Sequence, residues 1–296
     1  MRQGSHNFVY KNQNRATERF VIVYNSSSES SPVIDVHAHF GRHEAKDASR
    51  VDEWHSGDAA TVSRRAEAAS IRWSIVSALT ALQPYRGNIA KGNAEAVAAA
   101  EAHDNLLFWV VVDPARTETL AGSEQLLDHP RCMGIKMHPF MHDYDTRAMA
   151  GPVFDMAARH EAVILAHSGD TGSYPEDFIP WADRFPEVRL IVAHLGHGDD
   201  GLRSRQVHAI ESARHRNIWT DTSSAMSMIS GLIEWAVSRA GDDRILFGTD
   251  TPLYFTACQK ARVESAEISP ESKSRILSHN ALALFAHKLS KRPEQS

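Results

Sequence analysis

Strand-length apolar runs recur along this chain, each followed by a stretch of helical character. They fall at residues 33–40, 71–79, 106–112, 133–139, 162–169, 188–196, 217–223 and 244–250. Residues 106–112 are apolar throughout, as expected of a strand covered on both faces in a parallel sheet. Helices are expected between the runs, among them 58–70 capped by Asp58, 91–103, 152–160, 200–215 and 229–240, with a closing helix at 270–289. Strand and helix alternating in this way predict an α/β fold, a closed (β/α)8 TIM barrel. An open doubly wound sheet shares the alternation, but no Gly-rich phosphate or dinucleotide loop follows the first strand. A barrel of about 250 residues fits the 296-residue chain without a second domain. Residues 33–290 are assigned to it. Residues 1–32 form a short N-terminal extension and linker, strand-like at 20–24 and Ser-rich from 25 on.

In a barrel of this kind the working side chains gather at the C-terminal ends of the strands. The first run, Asp35-Val36-His37-Ala38-His39-Phe40, alternates in period two, so His37 and His39 share a face. Two imidazoles on one face can bind one metal ion, or simply form a His-rich polar face. By the same periodicity Lys136 and His138 share a face of the fourth strand. His167, His194, Asp221 and Asp250 end later runs. Asp35 falls one layer deeper, where a structural hydrogen bond is expected. Asp221 and Thr222 either touch substrate or end a strand. The polar stretch 41–57, with His43, Asp47, Trp54 and His55, is long for a strand-to-helix connection, and long loops often carry function.

Composition narrows the partners. A formal net charge of -5 without a clustered basic stretch gives no nucleic-acid footprint. No apolar run approaches the roughly 20 residues that cross a membrane, and the first residues lack a signal-peptide core. Cys132 and Cys258 are far apart and outside any metal or redox spacing, so both read as free thiols in a cytoplasmic protein.

Five motifs, Asp35-Val36-His37-Ala38-His39, Gly134-Ile135-Lys136-Met137-His138-Pro139, Ala166-His167-Ser168-Gly169, Ala193-His194-Leu195-Gly196 and Phe247-Gly248-Thr249-Asp250-Thr251-Pro252, carry a resemblance. Together they resemble the amidohydrolase superfamily, in particular its amidohydrolase-related (amidohydrolase 2) branch of metal-dependent hydrolases and of aminocarboxymuconate semialdehyde and resorcylate decarboxylases. Residues 280–285 are similar to the closing helix of that family, and the likeness spans 33–285. It implies His37, His39, His167 and Asp250 as ligands of one divalent metal, with His194 beside the metal's water or the substrate. Three imidazoles and a carboxylate suit Zn2+, and the same donors serve Mn2+ or Fe2+. Elsewhere in the superfamily a lysine on the fourth strand is carboxylated and bridges two metals; this branch implies one metal and an unmodified Lys136.

The activity so implied is hydrolysis of an amide, lactone or ester bond of a small molecule. Asp250 and His194 are then the catalytic residues, handling the proton of a water made acidic by the metal. Lys136 and His138 would bind substrate. Two alternatives stay open: a metal-dependent non-oxidative decarboxylase of a hydroxy-aromatic or muconate-like acid, using the same ligands, and a non-catalytic barrel, whose mark would be a missing ligand. A homo-oligomer, a dimer, is expected from the family. Trp54, Tyr85, Phe140, Tyr144, Tyr174, Phe178 and Tyr254 follow strand ends and can wall a pocket, and Arg42 and Arg86 could meet an acidic substrate.

Overall fold

A computed structural model describes residues 31–44, 50–83, 87–224 and 228–290. The strand expected at 20–24, Asp47, Tyr85 and Arg86 lie outside these residues. The strands are β1 (Ile34–Phe40), β2 (Trp73–Ala78), β3 (Leu106–Val111), β4 (Cys132–Met137), β5 (Val163–Ala166), β6 (Arg189–Val192), β7 (Ile218–Asp221) and β8 (Ile245–Leu246). All neighbours pair in parallel, in chain order from β1 to β8. No ladder joins β8 to β1, but backbone hydrogen bonds cross the seam. Val36 N donates to Phe247 O at 2.9 Å, and Thr249 N and Asp250 N donate to His37 O at 3.2 and 2.7 Å. The sheet is thus TIM-barrel-like, as the alternation predicts. The last run is mostly not strand: beyond Leu246 its backbone leaves the ladder to bond across the seam.

The main helices are α1 (Ala59–Ala68), α2 (Ile89–Ala102), α3 (Thr117–Glu124), α4 (Gly151–Arg159), α5 (Ile179–Arg184), α6 (Arg205–Ser212), α7 (Leu232–Ala240) and α8 (Thr256–Ser265), with shorter helical turns between them. Asp58 caps α1 as expected, accepting from Thr61 N at 2.8 Å. Helix α8 carries no side-chain cap and was not anticipated. The closing helix is broken: Pro270–Ser274, a π-helical turn at Arg275–His279, Asn280–Leu284 and Ala286–Leu289. Asn280 explains its anchoring there, donating to Asp242 O and Ile245 O at 2.6 and 2.8 Å beneath β8.

Two apolar layers sandwich the sheet. Ala38, Val76, Phe108, Val110, Ile135, Ile164 and Leu190 pack outward against the helices. Ile34, Val36, Ile75, Leu107, Trp109, Val163, Leu165 and Ile191 fill the interior, closed below by Ala281, Leu284 and Phe285. A bulge in β1 matters for the site. Asp35 pairs with Ser74 but Ala38 with Val76, so β1 advances three residues for two on β2. That extra residue switches the inward parity from Ile34 to His37 and His39. Buried Trp109 donates to Val36 O at 2.9 Å and meets Phe285 edge-on at 5.7 Å, a plug beneath the site. Gly134 makes room for it: a Cβ there would lie 2.9 Å from the Trp109 ring and 2.1 Å from Val163 O, and its φ is +153°. Cys132 and Cys258 are both free thiols. Among the described residues no helix is long and apolar enough to cross a membrane.

Candidate metal centre

The expected residues from the first, fourth, fifth, sixth and eighth strand ends meet in one buried cluster. His37 Nδ1 lies 3.0 Å from Asp221 Oδ2 and 3.0 Å from Ser223 Oγ. A carboxylate can only accept, so the proton sits on Nδ1 and the lone pair on Nε2. That Nε2 faces Lys136 Nζ at 2.8 Å and Asp250 Oδ1 at 3.6 Å. His39 is held at Nδ1 by Ser77 Oγ at 2.8 Å, and its Nε2 reaches Asp250 Oδ1 at 3.1 Å. His194 stacks at a tilt on His37, ring centres 4.7 Å apart, with its Nδ1 2.7 Å from Ser223 Oγ. His167 lies one ring further out, Nδ1 to His194 Nε2 at 3.0 Å, and His138 stacks flat on it at 4.0 Å.

His37, His194 and Asp250 offer donor atoms all within 4.8 Å of one another. This His/His/Asp set fits a divalent metal: neutral imidazole lone pairs, fixed by partners at the other ring nitrogen, converge with a carboxylate oxygen. Deep burial keeps the imidazoles neutral. It pushes His37, His138 and His194 well below the usual histidine range and lowers His39 and His167 as well. Burial also lowers Lys136 to about 8, with Asp250 and Asp221 pulling the other way. For Asp250 burial acts upward, but the His39 hydrogen bond, the imidazoles and Lys136 outweigh it and hold the carboxyl ionised.

Backbone strain marks the same place. His194 and Asp250 both adopt left-handed φ, +70° and +56°. Such conformations persist only where surroundings enforce them. Here Asp221 Oδ1 accepts from His194 N at 3.1 Å, and His37 O accepts from Asp250 N at 2.7 Å. Asp221 therefore orients His37 and the His194 backbone from below. Asp35 is buried as expected, accepting from His37 N and Thr249 N at 3.1 and 3.0 Å and from the Thr249 hydroxyl at 2.6 Å.

Above the cluster a cavity of about 200 Å3 opens between the loops. Its walls include His43, Leu79, Phe140, Leu253 and Tyr254, and His39, His167, His194 and Asp250 reach it from below. Of the expected aromatic walls, Phe140 and Tyr254 are in place. Tyr144 and Phe178 pack into the outer core, Tyr174 bonds Asp199, and Trp54 is exposed. Arg42 points to solvent, its side chain 81% exposed. Three residues that sequence reasoning missed line or support the mouth: Asp170, His197 and Ser223. Asp170 and His197 lie past strand ends, in stretches without periodicity, and Ser223 closes the seventh run, where only Asp221 and Thr222 were singled out. Asp170 and His197 form with His167 a second cluster of donor atoms. Hydrogen bonds from His167 and His197 outweigh burial and hold the Asp170 carboxyl well below its usual range.

The amidohydrolase family model matches residues 34–286. The chain belongs to the amidohydrolase family. No curated protein matches the sequence. This amidohydrolase is similar in fold to solved structures of low identity. One is a 5-carboxyvanillate decarboxylase from Sphingomonas paucimobilis, 13% identical with a TM-score of 0.64, covering 87% of this chain and 99% of that one. Another is 5-carboxyvanillate decarboxylase from Novosphingobium aromaticivorans, complexed with manganese and 4-hydroxy-3-methoxy-5-nitrobenzoic acid, 13% identical, TM-score 0.67, coverage 86% and 96%. A third is a dihydroxybenzoic acid decarboxylase from Polaromonas, with bound manganese and 2-nitroresorcinol, 15% identical, TM-score 0.63, coverage 88% and 98%. The chain is a metal-binding amidohydrolase acting on a small molecule.

Proposed function

We propose that this amidohydrolase is a metal-dependent non-oxidative decarboxylase of a small hydroxy-aromatic or similar unsaturated acid. One observation supports the reading: buried Lys136, 2.8 Å from His37 Nε2, puts a cation-forming side chain among the metal-ready donors, of which His39, His194 and Asp250 reach a small cavity, and so favours an anionic substrate there. The solved decarboxylases of the same fold support it by analogy. His37, His39, His167 and Asp250 would hold one divalent ion, with His194 beside it. Their chemistry suits zinc, and equally manganese, the ion named in two of the similar structures. A cation bound there supplies a Lewis acid toward the substrate's carboxylate and neighbouring oxygen.

The chain's own residues do the rest. Lys136 binds the acidic oxygen, and His138, stacked on His167, flanks the substrate. Decarboxylation breaks the bond from ring carbon to carboxylate, leaves the electron pair on that carbon, releases CO2 and adds one proton to the carbon. His194, whose Nε2 faces the cavity side of the cluster, is assigned that proton. Asp250, ionised and in contact with His39, is the carboxylate of the centre and the proton acceptor when a hydroxyl must ionise. The proposal includes a cytoplasmic homodimer without nucleic-acid or membrane partners, which sizing in solution checks.

The test is incubation of metal-loaded protein with 2,6-dihydroxybenzoate and 5-carboxyvanillate, following CO2 release, beside a panel of lactones, esters and amides. CO2 release lost in His37→Ala supports the proposal. Turnover of the panel without CO2 release replaces it with hydrolysis, a reading favoured by an Asp250 carboxylate able to act as base.

A further inference from the structure

Asp170 belongs to no motif, yet its Oδ2 is the meeting point of two imidazoles, His167 Nε2 at 2.5 Å and His197 Nε2 at 3.1 Å. We propose that Asp170, braced by His197, is the positioning residue that fixes the tautomer of His167 and aims its Nδ1 at the metal centre. This rests on the proposed metal centre. A carboxylate only accepts, so the bond at Nε2 places the His167 proton there and leaves the lone pair on Nδ1. Nδ1 is the atom facing the deep cluster, 3.0 Å from His194 Nε2. A carboxylate on the far nitrogen of a ligating histidine sets ring orientation and raises the basicity of the near one.

The surrounding loops are built to hold this arrangement. Gly169 has φ +112°, and a Cβ there would lie 2.4 Å from the His197 ring and 2.7 Å from His197 O. Only glycine lets the turn after β5 approach the turn after β6 this closely. Asp199 N then donates to Gly169 O at 2.9 Å, and Asp199 Oδ2 accepts from Thr171 N and Oγ1, both at 2.9 Å. Asp170 is thus clamped on both sides. Its roof is aromatic: Phe140 sits over His167 at 6.3 Å. The same three donors could instead grip a second cation, and the experiment separates the two.

The protein as purified is studied by 15N-imidazole NMR, and its zinc affinity is measured against a competing chelator with zinc counted by elemental analysis. The His167 signals are those lost in His167→Ala. They are expected to show a proton on Nε2 and none on Nδ1. Asp170→Ala should lower zinc affinity about 10- to 100-fold and lose that tautomer, while Asp170→Asn, which still accepts at Oδ1, restores part of both. Circular dichroism of each variant confirms that it is folded. A His167 protonated at Nδ1, or unchanged zinc affinity in Asp170→Ala, overturns the proposal. So does a count of two zinc ions per chain falling to one in Asp170→Ala, which makes Asp170 itself a ligand. A wild-type protein that binds no metal while keeping the Nε2 proton overturns the metal centre, and with it the aim assigned to His167.

Discussion

Lys136 is a fully buried cation-forming side chain among imidazoles, with the Asp250 and Asp221 carboxylates pulling it toward the ammonium. Lys136→Met keeps the volume and removes the charge. Turnover should fall by about 10²-fold, as for loss of one preorganised charge partner, while elemental analysis still finds about one metal per chain. Loss of the metal in that variant would make Lys136 a ligand. The sign of the pH effect follows from its value of about 8. A bound cation would lower it further, and the ammonium is lost as pH rises through it, so KM for an anionic substrate should climb with rising pH in the wild type and stay flat in Lys136→Met. Asp35 is a different case, a carboxylate with two N–H donors on one oxygen and the Thr249 hydroxyl on the other. Asp35→Ala strands those donors in the interior and should cost about 2–4 kcal/mol in chemical unfolding; Asp35→Asn keeps an acceptor and should cost less. The strand-end residues were legible because period two and the end of an apolar run locate them without knowledge of loops. Asp170 and His197 were not, since their meeting depends on the backbone path at Gly169.

At the scale of elements, all the strands were readable from apolar runs, while their bulges were not. The extra residue in β1 and the irregularity between Phe108 and Trp109 against β4 arise from how neighbours pair, which no single segment encodes. Gly134 sits at the second of these. Gly134→Ala should destabilise the fold by about 3 kcal/mol or more, because the new methyl meets a carbonyl oxygen of β5 rather than a yielding side chain. The denaturant midpoint measures it, and an unchanged midpoint would show that β4 and β5 slide apart freely. Helix α8 escaped notice because its sequence, Thr256-Ala257-Cys258-Gln259-Lys260-Ala261-Arg262, presents little apolar periodicity and no capping side chain at Phe255. The closing helix was legible in place but not in its π-helical turn, which the Asn280 hydrogen bonds accompany.

For the whole molecule, the order of alternation was enough to foresee a barrel, whereas the unladdered seam between β8 and β1 was not visible in it. That seam joins Asp250 to the backbone of His37, so the candidate metal donors on both sides lie across the one unladdered join between neighbouring strands among the described residues. A bound ion would therefore staple the barrel. With metal at about 100 times its dissociation constant the folded state gains roughly 2.7 kcal/mol, or several degrees in Tm for a chain of this length. Chelation should lower Tm by that amount, and re-addition of zinc or manganese should restore it. Equal melting with and without chelator would mean that the donors on either side of the seam do not share an ion.

The antiparallel bridge between Gly41 and Gly57, with hydrogen bonds of 2.7 and 3.0 Å, ties off the connection after β1 at its base. Arg42 O also accepts from Gln83 Nε2 at 2.7 Å, which joins the start of the connection to the segment after β2. His43, at the cavity wall, is fastened within that same connection by Asp52 at 2.7 Å. A change at His43 or Asp52 therefore redraws one side of the pocket from outside the strands that carry the candidate metal donors.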